Sequence, residues 1–210
     1  MDWNKYYQAP LTLEGMLGNL YGQKEFLFEI NNSGAKKLLE VGTGSGAMSI
    51  FLSWLGLDVT GVDIDPKVVD KATTENQQFN GHAHFAVADT FRLPYPDQSF
   101  DLIFHQGLFE HFSDTEIHQM LTEQLRVAKR VIFSVPNAWY PTKDFGNERL
   151  MTKTQWEHIL SPFKLITSYN YALKRFPRPW LWRKPIQYLA VVETNNPIQS
   201  QPDSSLPLNS

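Results

Sequence analysis

The 210-residue sequence predicts an α/β domain built on a mostly parallel β-sheet with helices on both faces. Three observations support this fold class. Apolar runs that suit strands alternate with amphipathic stretches that suit helices, as in parallel sheets. The first apolar run ends in a glycine-rich turn, which is typical of a buried strand that leads directly into a helix. The last two runs are joined by a connection too short for a helical crossover, so we expect them to pair antiparallel.

Seven apolar runs are the predicted strands, and they lie near residues 36–42, 58–64, 83–89, 100–106, 130–136, 164–173 and 186–194. Four helices are expected between them, near residues 46–55, 66–79, 114–128 and 152–160. Three of these helices carry a start signal. Asp65-Pro66 provides an N-cap followed by proline, whereas Ser113 to Glu116 and Thr152 to Gln155 can form capping boxes.

The composition excludes several classes of protein. There is no cysteine, so a disulfide framework and a thiolate metal site are both excluded. No apolar run approaches the roughly 20 residues that cross a bilayer, and no signal peptide is recognised, so we expect a cytoplasmic protein without membrane insertion. The net charge of −3 argues against broad nucleic-acid binding. His82 and His84 have no third ligand near them in the sequence, so no metal site is expected.

The segment 174–184 concentrates cations and tryptophans. An anionic substrate, a membrane surface or a single-stranded nucleic acid would suit such a segment. We interpret it instead as a surface loop that packs its tryptophans against the domain and keeps its cations in water.

The glycine-rich turn predicts a site for a nucleotide-like cofactor. Gly42, Gly44 and Gly46 alternate with Thr43 and Ser45 directly after the first apolar run. Glycines let the backbone adopt positive φ angles and let a ligand lie against the main chain. The turn also directs the N–H groups of a helix N-terminus towards a bound ligand.

Three acids at strand ends favour one cofactor over another. The glycines also fit a dinucleotide fingerprint, with Asp63 about 20 residues further on as a ribose-binding acid. Glu40, however, lies two residues before the first glycine, where a carboxylate would repel a pyrophosphate and suits an ammonium and a sulfonium. Asp89 follows the third apolar run, where an acid can accept a hydrogen bond from an adenine amino group. Together these acids fit S-adenosylmethionine better than NAD.

From Leu38 to about Phe163 the sequence resembles the class I S-adenosylmethionine-dependent methyltransferases. The resemblance rests on the ordered acids and glycines and on a second segment, which in the family reads LPFPDxSFDxxxxxxxLEH. Here residues 93–112 read LPYPDQSFDLIFHQGLFEHF. One feature departs from the family, which joins its fourth helix to its fifth strand through a glycine-containing turn. Here Arg126 to Arg130 leads into the strand without a glycine.

The resemblance implies a Rossmann-like sheet of seven strands in the order 3-2-1-4-5-7-6, with strand 7 antiparallel. It implies methyl transfer from S-adenosylmethionine to a small-molecule acceptor by in-line displacement. Two alternatives stay open, namely a catalytically silent protein that binds the cofactor and an NAD-dependent oxidoreductase. The expected cofactor residues are Glu40, Gly42, Thr43, Gly44, Gly46, Asp63, Ile64, Asp89, Thr90 and His105.

The resemblance also suggests residues for the acceptor and for catalysis. His111 is the candidate general base, with capping of the following helix as the alternative role. Residues 1–30, an aromatic and partly helical segment, are expected to cover the cofactor as a lid. Residues 31–194 are the predicted domain, and residues 195–210 are predicted to be a disordered tail. The candidate substrate residues are Tyr6, Asn137, Tyr140 and Arg149.

Overall fold

The computed structural model describes residues 9–143, 146–171 and 184–194. The first eight residues of the expected lid, with Tyr6, lie outside the described residues. So do residues 174–183 of the basic and aromatic segment and the predicted tail, residues 195–210.

A seven-stranded sheet forms the centre of the fold, and its strand order is β3-β2-β1-β4-β5-β7-β6. The strands are β1 Lys37–Val41, β2 Asp58–Asp63, β3 His84–Val87, β4 Phe100–Gln106, β5 Ala128–Pro136, β6 Lys164–Tyr171 and β7 Gln187–Glu193. Neighbouring strands pair parallel except β7, which is antiparallel to both β5 and β6. The predicted strand order and the antiparallel last pair are therefore confirmed.

Among the described residues, six α-helices surround the sheet: α1 Leu13–Gly22, α2 Lys24–Asn32, α3 Ala47–Trp54, α4 Pro66–Gln78, α5 Asp114–Val127 and α6 Lys153–Ile159. The start signals act as predicted. Asp65 accepts a hydrogen bond from the Lys67 N–H and so caps α4. Complete capping boxes begin α5 at Ser113 and α6 at Thr152. No described helix has the length and apolarity needed to cross a bilayer.

Two apolar clusters pack against opposite faces of the sheet. The alternation of side chains along β4 separates them, because Ile103 joins one cluster and Leu102 and Phe104 join the other. The first cluster includes Trp156 and lies under α5 and α6. The second includes Phe26 and lies under α1, α2 and α3. The N-terminal helices are thus part of the folded core.

Helix α5 continues directly into strand β5 without the glycine turn that the resembling family uses. The helix ends at Val127, and the strand begins at Ala128. Arg126, in the last turn, donates hydrogen bonds to the Asp97 carboxylate at 2.7 Å and to the Tyr95 carbonyl at 2.9 Å. The same guanidinium binds Glu123 at 2.7 Å. It therefore ties the segment before β4 to the end of α5.

Replacing Arg126 with alanine should destabilise the protein by about 1–2 kcal/mol, because several charge-assisted hydrogen bonds on a partly exposed side chain are lost together. Urea unfolding should show this as a lower midpoint with an unchanged slope. Lys67→Ala, which removes an exposed cation from α4, is the control and should stay within about 0.5 kcal/mol of wild type. Equal midpoints for Arg126→Ala and wild type would contradict the structural role of Arg126.

Candidate active site

The turn between β1 and α3 is left-handed at its three glycines. The φ angles are 69° at Gly42, 53° at Gly44 and 72° at Gly46. A Cβ on Gly46 would lie 2.8 Å from the Phe85 ring, and one on Gly42 would lie 3.4 Å from the Leu108 side chain. The turn therefore requires glycine for its backbone conformation and for close packing. At these positions no side chain covers the main chain.

Glu40 lies buried beneath this turn and is only 5% exposed. Its carboxylate accepts hydrogen bonds from the Thr43 hydroxyl at 2.9 Å and from the Ser49 hydroxyl at 2.5 Å. Burial raises the pKa of Glu40 to about 7, although the two hydroxyls oppose this shift. A ligand cation placed beside Glu40 would stabilise the ionised carboxylate.

Asp63 ends β2 next to the glycine turn and is 8% exposed. Its carboxylate accepts hydrogen bonds from the Gly44 N–H at 3.4 Å and from the Asp65 N–H at 3.1 Å. Burial raises the pKa of Asp63, and these N–H groups partly offset that shift. An acid in this position can accept hydrogen bonds from ribose hydroxyls.

Two cavities meet at the glycine turn. The larger, of about 690 Å³, is lined by Glu40 and Thr43 among others. The smaller, of about 140 Å³, is lined among others by Asp63, Ile64, Asp89 and Thr90. Both linings include Gly42, Gln106 and Gly107, so the cavities are neighbours across one short passage. The arrangement suits an elongated ligand with chemically different ends.

The predicted cofactor residues therefore divide into three groups. Seven of them line a cavity, namely Glu40, Gly42, Thr43, Asp63, Ile64, Asp89 and Thr90. Gly44 and Gly46 shape the turn without lining either cavity. Asp89 also has a local structural role, since its carboxylate accepts a hydrogen bond from the Phe91 N–H at 2.9 Å.

His105 lies elsewhere, in the apolar core. It is fully buried, stacked on Phe133 with ring centroids 5.5 Å apart and edge-on to Phe109 at 4.2 Å. Burial lowers the pKa of His105 to about 3, so the ring is neutral at physiological pH. Neither cavity has His105 in its lining.

Gln106 takes the place expected for His105, and sequence reasoning did not select it. Its amide nitrogen is buried and has no hydrogen-bond partner among the described residues. Because Gln106 also lines both cavities, this nitrogen is placed to donate to an acceptor atom on a ligand. The available signal was the position of Gln106 as the last residue of β4, at the carboxyl edge where open α/β sheets bind ligands.

The N-terminal segment covers part of the larger cavity. Ala9 to Thr12, together with residues of α1, contributes to the lining. The Leu11 N–H donates to the Glu75 carboxylate at 2.9 Å, and Lys71 pairs with the same carboxylate at 2.7 Å. This contact attaches the start of α1 to helix α4.

Some of the predicted acceptor residues line the larger cavity and others lie outside it. His111 and Tyr140 line the larger cavity, as do Glu110 and Glu148, which sequence reasoning did not select as cavity residues. Asn137 lies buried outside the lining, where its amide donates to the Pro185 carbonyl at 2.8 Å.

Arg149 lies outside the lining as well, because its side chain turns away from the cavity. Its guanidinium donates to the Phe112 carbonyl at 2.6 Å and to the Asp114 carboxylate at 2.5 Å. Both Asn137 and Arg149 therefore hold neighbouring backbone in place.

His111 has polar contacts on both sides of its ring. Nδ1 lies 3.0 Å from the Asn147 amide oxygen, and Nε2 lies 3.9 Å from the Glu110 carboxylate. The alternative role of His111 as a helix cap does not fit, since Ser113 is the N-cap of α5. A histidine held in this way can orient a substrate or accept a proton from it.

Comparison with known proteins shows which families this part of the chain is similar to. Residues 38–130 match a family model described as a methyltransferase domain. The structure also superposes on the magnesium protoporphyrin IX methyltransferase (ChlM) of Synechocystis PCC 6803 crystallised with SAH. That match has a TM-score of 0.66 at 16% identity and covers 92% of this chain and 93% of the other.

Two curated relatives are similar to part of the chain. The chain is 33% identical over 130 residues to 2-methyl-6-phytyl-1,4-hydroquinone methyltransferase of Synechocystis sp. (strain PCC 6803), across 58% of this chain and 40% of the relative. It is 29% identical over 98 residues to phosphoethanolamine N-methyltransferase 3 of Arabidopsis thaliana, across 46% of this chain and 20% of the relative. The chain thus spans less than half the length of these relatives.

The buried acid Glu40 gives a testable pH dependence. Burial raises the pKa of the Glu40 carboxyl to about 7 in the folded protein, against an ordinary value of 4.5. The folded protein thus keeps a proton that the unfolded chain has lost, so stability falls as the pH rises between these values. Glu40→Gln should remove this loss and stabilise the ligand-free protein by roughly 2–4 kcal/mol at pH 8, with little effect at pH 4.5.

Thermal unfolding of wild type and Glu40→Gln at both pH values measures the effect. Asp70→Asn, which alters an exposed acid of α4, is the matched control and should give no pH-dependent difference. A gain that is the same at both pH values would show that Glu40 is not the titrating group.

Proposed function

We propose that this protein is an S-adenosylmethionine-dependent methyltransferase that acts on a small-molecule acceptor. The observation that carries the proposal is Glu40, a buried carboxylate beneath the glycine turn that lines the larger of the two cavities. The named methyltransferases that share the fold or the domain sequence support the same activity. A cytoplasmic location and the absence of a nucleic-acid partner remain part of the proposal.

The residues present fit the proposed cofactor. Glu40 would hold its ammonium group, and Asp63 would hold its ribose hydroxyls. Asp89 and Thr90 line the smaller cavity, which would take the adenine. The unpaired Gln106 amide nitrogen would donate to an acceptor atom of the ligand. Because the glycines of the turn have no side chains, a ligand of this shape can lie directly against the main chain.

The cofactor, when bound, supplies a methyl group that is already activated on a sulfonium. The protein then contributes mainly by position and by exclusion of water. The segment around Leu11 covers the larger cavity, and the attachment of Leu11 to Glu75 holds that cover in place. His111 and Tyr140 lie in the same cavity and would orient the acceptor.

The two alternatives account less well for these observations. An NAD-dependent oxidoreductase would place a pyrophosphate beside the glycine turn, where the Glu40 carboxylate would repel it. A catalytically silent binding protein needs no room beyond the cofactor. The larger cavity, however, has the volume of a small-molecule site and extends to residues that follow β4 and β5.

Calorimetric titration tests the cofactor directly. We expect wild type to bind S-adenosylhomocysteine and not NADH. Asp63→Ala should weaken that binding by roughly 2–3 kcal/mol, because a charged hydrogen-bond acceptor is lost. Asp70→Asn should bind like wild type. Binding of NADH alone would overturn the proposal, and wild-type affinity in Asp63→Ala would remove Asp63 from the site.

His111→Ala tests the role of the histidine. We expect kcat to fall about tenfold, because loss of orientation has a smaller effect than loss of an essential base. Affinity for S-adenosylhomocysteine should stay within about twofold of wild type. The assay measures transfer of a labelled methyl group over a range of pH, and His158→Ala, at an exposed histidine of α6, is the control. A thousandfold loss with no remaining pH dependence would instead make His111 the general base.

A further inference from the structure

Helix α5 buries one amide side chain among apolar ones. Gln124 has none of its surface exposed. The other buried side chains of this helix belong to the apolar cluster beneath it, and they are Ile117, Met120, Leu121 and Val127. The Gln124 amide oxygen has no hydrogen-bond partner among the described residues. A buried carbonyl oxygen without a partner costs stability, so packing alone does not account for a glutamine here.

The amide nitrogen of Gln124 makes contact with a residue of the smaller cavity. It donates a hydrogen bond to the Thr90 hydroxyl oxygen at 3.2 Å, across 34 positions of the chain. Thr90 lines the smaller cavity, whereas Gln124 lines neither cavity. Any effect of Gln124 on a ligand in the smaller cavity is therefore transmitted through Thr90.

His105 is a second neighbour of the Gln124 amide. The Gln124 side chain opposes the lowering of the His105 pKa, although burial has the larger effect. Neither ring nitrogen of His105 makes a well-formed hydrogen bond within the described part of the chain. The contact with His105 is therefore weak. Among the described residues, the hydrogen bond to Thr90 is the one well-formed bond of the Gln124 side chain.

The main chain around Thr90 is held in place without Gln124. Asp89 and Arg92 form an isolated β-bridge, in which the Arg92 N–H donates to the Asp89 carbonyl at 3.0 Å. The Phe91 N–H donates to the Asp89 carboxylate at 2.9 Å. These bonds close a tight turn around Thr90. Gln124 contacts only the hydroxyl of Thr90, so it fixes the direction of that hydroxyl and not the path of the chain.

The hydrogen bond from Gln124 determines what the Thr90 hydroxyl can do. A threonine hydroxyl has one hydrogen to donate and two lone pairs that accept, and the χ1 angle of threonine is stiff. The Gln124 N–H occupies a lone pair, so the hydroxyl hydrogen is directed away from Gln124. No described residue accepts this hydrogen. The Thr90 hydroxyl is thus oriented as a donor at the wall of the smaller cavity.

We propose that Gln124 is a positioning residue for the cofactor, because its hydrogen bond directs the Thr90 hydroxyl to a ring nitrogen of the adenine. The inference rests on the proposed function, in which the smaller cavity takes the adenine. Adenine ring nitrogens accept hydrogen bonds, whereas the amino group of adenine donates them. Asp89, which lines the same cavity, is an acceptor. An oriented donor beside an acceptor matches both kinds of polar group on adenine.

Analogues that lack single ring nitrogens test the proposal. S-adenosylhomocysteine and its 1-deaza, 3-deaza and 7-deaza analogues are titrated by calorimetry into the full chain. We expect at least one analogue to bind wild type at least fivefold more weakly than S-adenosylhomocysteine, because a C–H group cannot accept the Thr90 hydrogen bond. This penalty should fall below twofold in Thr90→Val and in Gln124→Met. Each substitution nearly keeps the side-chain volume and removes one partner of the hydrogen bond.

Controls separate positioning from a structural role. Gln119→Met, at an exposed glutamine of the same helix, is the matched control and should keep the penalty. Gln124→Asn keeps the amide but shortens the side chain, so this second variant should lose the penalty as Gln124→Met does. A glutamine with a merely structural role would weaken all four ligands alike when replaced, and the penalty would remain.

The outcomes also separate this inference from the proposed function. Failure of wild type to bind S-adenosylhomocysteine would overturn the proposed function and this inference with it. Normal binding of S-adenosylhomocysteine with equal affinity for all three analogues would overturn the inference alone. A penalty that survives in Thr90→Val or in the Gln124 variants would do the same.

Discussion

The carbonyl of Val62 holds the site together, because it receives two hydrogen bonds from the glycine turn. The Gly42 N–H donates to it at 2.8 Å and the Thr43 N–H at 3.0 Å. These bonds fold the turn over the end of β2 and bring Gly44 to Asp63. The same two hydrogen bonds place the turn above Glu40, whose carboxylate accepts a hydrogen bond from the Thr43 hydroxyl. Without this attachment to β2, neither acid would be buried beside the bare main chain.

The cost of this arrangement is electrostatic. Burial raises the pKa values of both Glu40 and Asp63, and each carboxylate opposes the ionisation of the other acids near it. Such groups destabilise the ligand-free protein, and a ligand cation offsets that cost. Buried acids with raised pKa values are common at functional sites.

Local patterns predicted most of the fold and the glycine turn. The strands, the capping boxes and the glycine turn depend on residues close in sequence, and the resemblance supplied the strand order. Gln106 was missed because the end of β4 offers two adjacent polar side chains, and the pleat of the strand decides which one reaches the cavity. Glu148 was missed for a different reason. Only a hydrogen bond between distant segments, from Arg149 to Glu110, brings it to the site.

Helix α5 ends at Val127 and strand β5 begins at Ala128, so no loop residues lie between them. Strand β5 lies between β4 and β7, so its register is fixed on both sides. One residue inserted between Val127 and Ala128 would have no loop to absorb it, and it would exchange the two faces of the strand. Phe133 would leave the cluster that contains Trp156 and Ile132 would take its place, while the Ser134 hydroxyl would replace the Val135 side chain in that cluster. The junction thus determines which side chains of β5 face each side of the sheet. An insertion or deletion is therefore tolerated far less here than in a loop.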